Sequence, residues 1–227
     1  MKILSIDTSS NLCAVAVLED TILIKENILD DTKNHSEKIM PVIAQTLEEV
    51  NLELKDIDLI VCDKGPGSFT GIRIGVATVM SFVDSLNINA IGISSLECLL
   101  YNVINKTSAP FVCSLIDAKN DNVYFELFEI NNSIPSSIIS PDCKNINELI
   151  DLLKNYNNIC FVGDGTIAHQ SLLKSTLNNV TFAEKNQISS YSLGLAGLNA
   201  FNSNRRNDLL PLYLRKSQAE RAKQGEK

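Results

Sequence analysis

The chain is short of positive charge. Its 227 residues carry 20 lysines and arginines against 27 aspartates and glutamates, a formal net charge of −7. Phosphate binding needs a basic face, so this chain is not expected to grip nucleic acid alone; with RNA involved, a partner must supply most of the cations. An apolar leader is also missing. Residues 1–10 hold one lysine and only a few apolar residues before Asp7, too few for a signal-peptide core. No later run is expected to reach membrane-span length, which points to a soluble, cytoplasmic protein with no membrane contact. Paired cysteines are lacking too: Cys13, Cys62, Cys98, Cys113, Cys143 and Cys160 are widely spaced, with no C-x-x-C. Cys62, Cys113 and Cys160 fall in apolar, strand-like runs and read as buried reduced thiols rather than a disulfide or metal set. With 44% hydrophobic and 21% charged residues, wholesale disorder is excluded. The length fits one large domain or two small ones.

Compared with itself, the chain says more. Residues 3–7, ILSID, form a short apolar strand ending in aspartate, followed by the turn TSSN and the strands CAVAVLE (13–19) and TILIKENIL (21–29). Residues 111–117, FVCSLID, repeat that opening, with Asp117, the turn AKNDN and the strand VYFELFEI (123–130). An amphipathic helix is expected after each, over 35–50 and 146–156. Strands then run into glycines at LIVCDKGPG (59–67) and NICFVGDG (158–165). The halves read as diverged structural repeats, each a mixed sheet flanked by helices. That duplicated layout resembles the actin-like ATPase (ASKHA) fold, α/β with two lobes facing each other across a nucleotide cleft. The expected division is a first lobe over 1–105 and a second over 106–189, joined near NKTSAP (105–110). Residues 190–216, a long helix and LLPLYLR, should pack back on the first lobe. The charged tail 217–227 should fray.

The glycine segment GPGSFTGIRIG (65–75) is the most informative stretch. A strand, a glycine turn and a helix start present backbone N–H groups and a positive dipole end, which is an anion site. Asp7, Thr8, Ser9, Gly65, Gly67, Ser68, Thr70 and Gly71 are its candidate residues, with Thr70 as a plausible N-cap. A tight strand-to-helix turn without ligand fits the same residues equally well. Neither the P-loop nor the dinucleotide fingerprint is matched. The helix expected over 71–86 is apolar all round, broken only by Arg73 and Asp84, and so should be buried on two sides. Gly71 and Gly75 would allow another helix close. Either the second lobe covers this helix, or it forms a subunit interface; the second reading is preferred.

In order, IDTSSNLCAVAV, NHSEKIMPVI (34–43), GPGSFTGIRIG, SSLECL (94–99), DAKNDNVYFELF (117–128) and PLYLR (211–215) resemble the TsaB (YeaZ) family. The match spans the chain except 131–157 and the tail. VATVMSFVDSL (76–86) departs from it, lacking the lysine–glycine pair common there. The resemblance implies a non-catalytic scaffold or activator in tRNA threonylcarbamoyladenosine synthesis. Its partners would be TsaD, a catalytic relative of like fold, and TsaE, a small ATPase. Together they would transfer a threonylcarbamoyl group from threonylcarbamoyl-AMP to N6 of the adenosine beside the anticodon, in tRNAs reading codons that begin with A. tRNA would be met only through the complex. Contact with TsaD, or with a second copy when alone, is assigned to Ile39, Ile43, Leu47, Gly71, Ile72, Gly75, Val76, Val79 and Met80.

Catalysis by this chain itself is not expected. The catalytic relative carries H-x-x-x-H, two imidazoles one helical turn apart, but here His35 is followed at that spacing by Ile39. His169 is the one other histidine and lies in the second half. No metal site is expected, and a protease reading weakens for want of clustered ligands. The competing reading is an ATP-dependent small-molecule kinase or ATPase using Asp7 and the glycine loop. Against it, TSSN and AKNDN contain no glycine with which to wrap a phosphate, and both aspartates can serve as turn formers. The chain is expected to have no cofactor of its own, with ATP or ADP held, if at all, at an interface shared in the complex.

Overall fold

The computed structural model describes residues 1–30, 35–205 and 208–216. It divides into two compact units, Met1–Cys98 with Ile188–Leu212, and Leu99–Gln187 with Tyr213–Lys227. The division falls inside a helix rather than near 105–110. The reason is apolar burial: Leu99, Leu100, Val103 and Ile104 are all buried, so the stretch before NKTSAP is core and not connector. The PLYLR segment is split as well, at Leu212. The tail 217–227 lies outside the described residues.

The first unit is built on β1 (Lys2–Asp7), β2 (Leu12–Glu19), β3 (Ile22–Asp30), β4 (Leu59–Asp63) and β5 (Asn89–Ile93), in the order β3-β2-β1-β4-β5. β1 to β3 form an antiparallel meander, and β4 and β5 continue it in parallel. β1, β2 and β4 are buried on both faces, which is why they read as continuous apolar runs rather than alternating ones. On one face, Leu4, Ile6, Val15, Val17, Ile60 and Cys62 pack against α1 (His35–Glu48) and α2 (Phe69–Leu86).

The opposite face carries α6 (Ser190–Asn202), a helix that returns from far along the chain. The buried Ser5 hydroxyl donates to Ser190 O at 2.6 Å and pins the helix to β1. Glu26 of β3 holds its start, accepting from Tyr191 N–H at 3.1 Å and the Ser189 hydroxyl at 3.3 Å. A carboxylate on a helix N-terminus satisfies an orphan donor and opposes the dipole.

The second unit repeats the plan. It has β6 (Phe111–Asp117), β7 (Asn122–Asn131), β8 (Ile134–Asn145), α4 (Ile146–Leu153), β9 (Ile159–Val162), α5 (Asp164–Thr176) and β10 (Val180–Phe182). Its strand order is β8-β7-β6-β9-β10, the first unit's order element for element. Asp7 and Asp117 end equivalent strands on separate sheets, as the duplicated ASKHA layout requires. β5, β10 and the short α3 (Ser95–Leu100) were not foreseen, and β8 was implied by the repeat without being placed on residues. β8 is a proline-bearing, serine-rich edge with no apolar alternation to announce it.

α2 corrects an expectation. It is buried along one face only, through Gly71, Ile72, Gly75, Val76, Val79 and Phe82, while Arg73, Met80 and Asp84 face outward. At 18 residues it also has the length and apolar composition of a membrane span, the one such helix among the described residues, against the expectation of none. Its apolar face is spent on the sheet. All six cysteines are free, five of them buried and Cys143 half-buried.

Removing the Glu26 cap should loosen α6. Glu26→Ala is expected to lower stability by about 1–2 kcal/mol, checked by urea unfolding. An unchanged midpoint would show that the cap contributes nothing.

Candidate functional site

The glycine loop joins β4 to α2, and the β1–β2 turn lies directly against it. Asp7 ends β1 and bends back: its Oδ1 accepts the Ser9 N–H at 2.7 Å, the aspartate-led turn for which Thr8 and Ser9 follow. Asp117 does the same in the second unit, accepting the Lys119 N–H at 2.8 Å. Both aspartates are therefore turn formers.

The helix start is capped by Ser68, whose hydroxyl oxygen accepts the Gly71 N–H at 3.3 Å; Thr70 lies one turn position inside the helix and is not the cap. The Ser68 N–H, in turn, donates to Ser9 O at 2.6 Å. Thr8 Oγ1 donates to Gly71 O at 2.7 Å. A Cβ at Gly67 would drive into the Ser9 carbonyl, and one at Gly71 into the Thr8 carbonyl. The glycines thus serve close packing against the first turn. Two of the N–H groups at this helix start are engaged within the chain, Ser68 by Ser9 O and Gly71 by the Ser68 cap. Gly163, at the head of α5, has the same relation to the Leu115 carbonyl of β6.

The centre of this assembly is a residue the sequence reading passed over. Asp63 ends β4, is fully buried, and accepts three hydrogen bonds: Gly65 N–H at 2.7 Å, the Ser95 hydroxyl at 2.7 Å and the Ser9 hydroxyl at 3.1 Å. It joins the glycine loop, the β1–β2 turn and α3 through one carboxyl. Burial pushes it well above the usual carboxylate range, and the nearby Asp7 adds to the rise; the three hydrogen bonds oppose it. The signal available in sequence was an aspartate closing a fully apolar strand immediately before the loop. Beside it, burial lowers the Lys64 ammonium, and burial raises Glu97 against its 2.6 Å pair with Arg205.

The assigned contact residues divide. Ile39, Ile43, Leu47, Ile72, Val76 and Val79 are buried in the unit's own core, and Gly71 and Gly75 rest on Thr8. These residues are packed inside the unit. Met80, 45% exposed on α2, remains outward, and Met40 on α1, 49% exposed, joins it. Ile39 fills core where the metal-binding relative would carry its second histidine. Among the described residues no group of three or more His, Cys, Asp or Glu could hold a metal ion.

Two variants probe this geometry. Gly71→Ala, forced against the Thr8 carbonyl, should cost about 1–3 kcal/mol in urea unfolding; an unaffected midpoint would show that the loop has slack. For Asp63, the folded protein holds its proton more tightly than the unfolded chain. Stability is therefore lost as pH rises from the ordinary carboxylate range toward the raised value. The melting temperature of Asp63→Asn should gain on the wild type as pH rises above the ordinary carboxylate range, and a difference independent of pH would refute the assignment.

The family model described as "TsaD: tRNA N6-adenosine threonylcarbamoyltransferase" matches residues 23–223. A Bacillus subtilis protein named tRNA threonylcarbamoyladenosine biosynthesis protein TsaB is 31% identical over 80% of this chain and 79% of its own length. The Haemophilus influenzae protein of the same name is 27% identical over 95% and 94%. Among solved structures, YeaZ from Pseudomonas aeruginosa aligns with a TM-score of 0.73 at 21% identity, covering 94% of this chain and 99% of that one. Component A of the Acidaminococcus fermentans (R)-2-hydroxyglutaryl-CoA dehydratase aligns at 0.53 and 9% identity, covering 91% and 100%, a likeness of fold alone. Two duplicated units, a glycine loop in this setting and these relatives agree: the chain belongs to the TsaB (YeaZ) family, whose members are named for tRNA threonylcarbamoyladenosine biosynthesis.

Proposed function

We propose that this chain is a non-catalytic, activating subunit of the cytoplasmic complex that makes threonylcarbamoyladenosine in tRNA. The observation that carries the reading is the glycine loop closed on its own chain, with the Ser68 N–H donating to Ser9 O and the Thr8 and Ser9 carbonyls filling the space beside Gly71 and Gly67. An anion at this helix start would have to compete with Ser9 O for the Ser68 N–H. Transfer of the threonylcarbamoyl group from threonylcarbamoyl-AMP to adenosine N6 then falls to TsaD, with TsaE as the ATPase of the set. Any ATP or ADP is held with a partner, and tRNA is met through the complex because the net charge here is −7.

Contact with TsaD runs through the outward faces of α1 and α2, where Met40 and Met80 expose flexible apolar side chains. In isolation two copies pair through the same face, and TsaD competes for it.

Purified alone, the protein should neither turn over ATP nor shift tRNA in a gel; with TsaD and TsaE added, modified adenosine should appear in tRNA. Met40→Glu/Met80→Glu should stay folded, lose both the homodimer and the TsaD complex in light scattering, and fail to support modification. ATP turnover by the isolated protein that disappears in Asp7→Asn would instead favour the kinase reading.

A further inference from the structure

β3 and β8 hold the same place in the two sheets, each an outer edge beside the second strand of its unit. They are defended differently. β8 carries Pro135 and Pro141, and its register against β7 breaks twice between Phe125 and Phe128. Prolines and irregular register are devices that stop an edge from accepting another strand. β3 has no proline and one irregularity, opposite Val17 and Leu18. It leaves Ile22, Ile24 and Ile28 exposed by 65%, 47% and 54%.

Among the described residues, the backbone of β3 pairs with β2 alone, and no other strand adds to it. The surroundings are acidic. Glu19 ends β2, Asp30 ends β3, and Glu48 ends α1, which packs beside β3, with Glu49 directly after it. Lys25, the one cation of the strand, is held by Glu49 at 2.8 Å. A second copy would bring this acidic set against itself, so the edge suits a basic occupant.

We propose that the outer edge of β3 receives an extended segment of a partner protein in which apolar residues alternate with lysine or arginine. Main-chain hydrogen bonds to the free edge supply the binding, the isoleucines give it apolar contact, and the acidic rim selects for cations. The surface uses neither Met40 nor Met80, so it stands or falls apart from the α1–α2 contact with TsaD.

The test uses the full chain and a fluorescein-labelled nonamer of alternating valine and lysine, read by anisotropy and by hydrogen exchange. Saturable binding is expected, weakened by added salt, with protection confined to residues 22–30. Ile24→Lys/Ile28→Lys replaces exposed side chains only, and should reduce affinity about tenfold or more. A valine–glutamate nonamer and a valine–lysine nonamer with a central proline should not bind. Absence of binding, equal binding of either control, or unchanged affinity in the double variant would overturn the proposal. So would a homodimer that the double variant abolishes, which would assign the edge to a second copy.

Discussion

The structure of the first unit depends on how closely the start of α2 presses on the turn after β1. Thr8 and Ser9 give their carbonyls and a hydroxyl to that helix start, and Gly67 and Gly71 are bare because those carbonyls occupy the space of a Cβ. Gly163 against Leu115 shows the same solution in the second unit. In both, the helix after the fourth strand is seated on the end of the first strand. This contact fixes where the strands end and therefore where Asp7 and Asp117 stand.

Asp63 gathers the same region from inside. A carboxyl with three donors and no solvent is a strong local organiser, yet its charge is costly there, first because it is buried and then because Asp7 lies near. Those hydrogen bonds tie the glycine loop, the β1–β2 turn and α3 to one buried carboxyl.

Much of this was legible in the sequence. ILSID and FVCSLID announced the duplication because buried strands with aspartate ends leave a pattern that survives loss of identity. The aspartates as turn formers were readable from TSSN and AKNDN. What failed, failed through packing. Helix 69–86 looked apolar all round, but Met80 and Leu86 are tolerated on a wet face and one side alone is buried. Gly71 and Gly75 signalled a close approach correctly, and the neighbour found beside both is Thr8 of the same unit. Asp63 was overlooked because two of its three partners, Ser9 and Ser95, lie 54 and 32 residues away, distances along the chain that no local pattern spans. β8 could not be placed on residues because an edge strand need not alternate.

The placement of α6 has a consequence for biosynthesis. The first sheet is covered on one face by a helix that begins at Ser190, although its five strands end at Ile93. On a translating ribosome, at roughly 5–20 residues per second, the finished sheet waits on the order of ten seconds for its second cover. During that interval the face carrying Ser5 and Val61 is bare on the nascent chain. A chain broken off before α6 would keep every strand of the first unit and still present an uncovered apolar sheet to the chaperones and proteases of the cell.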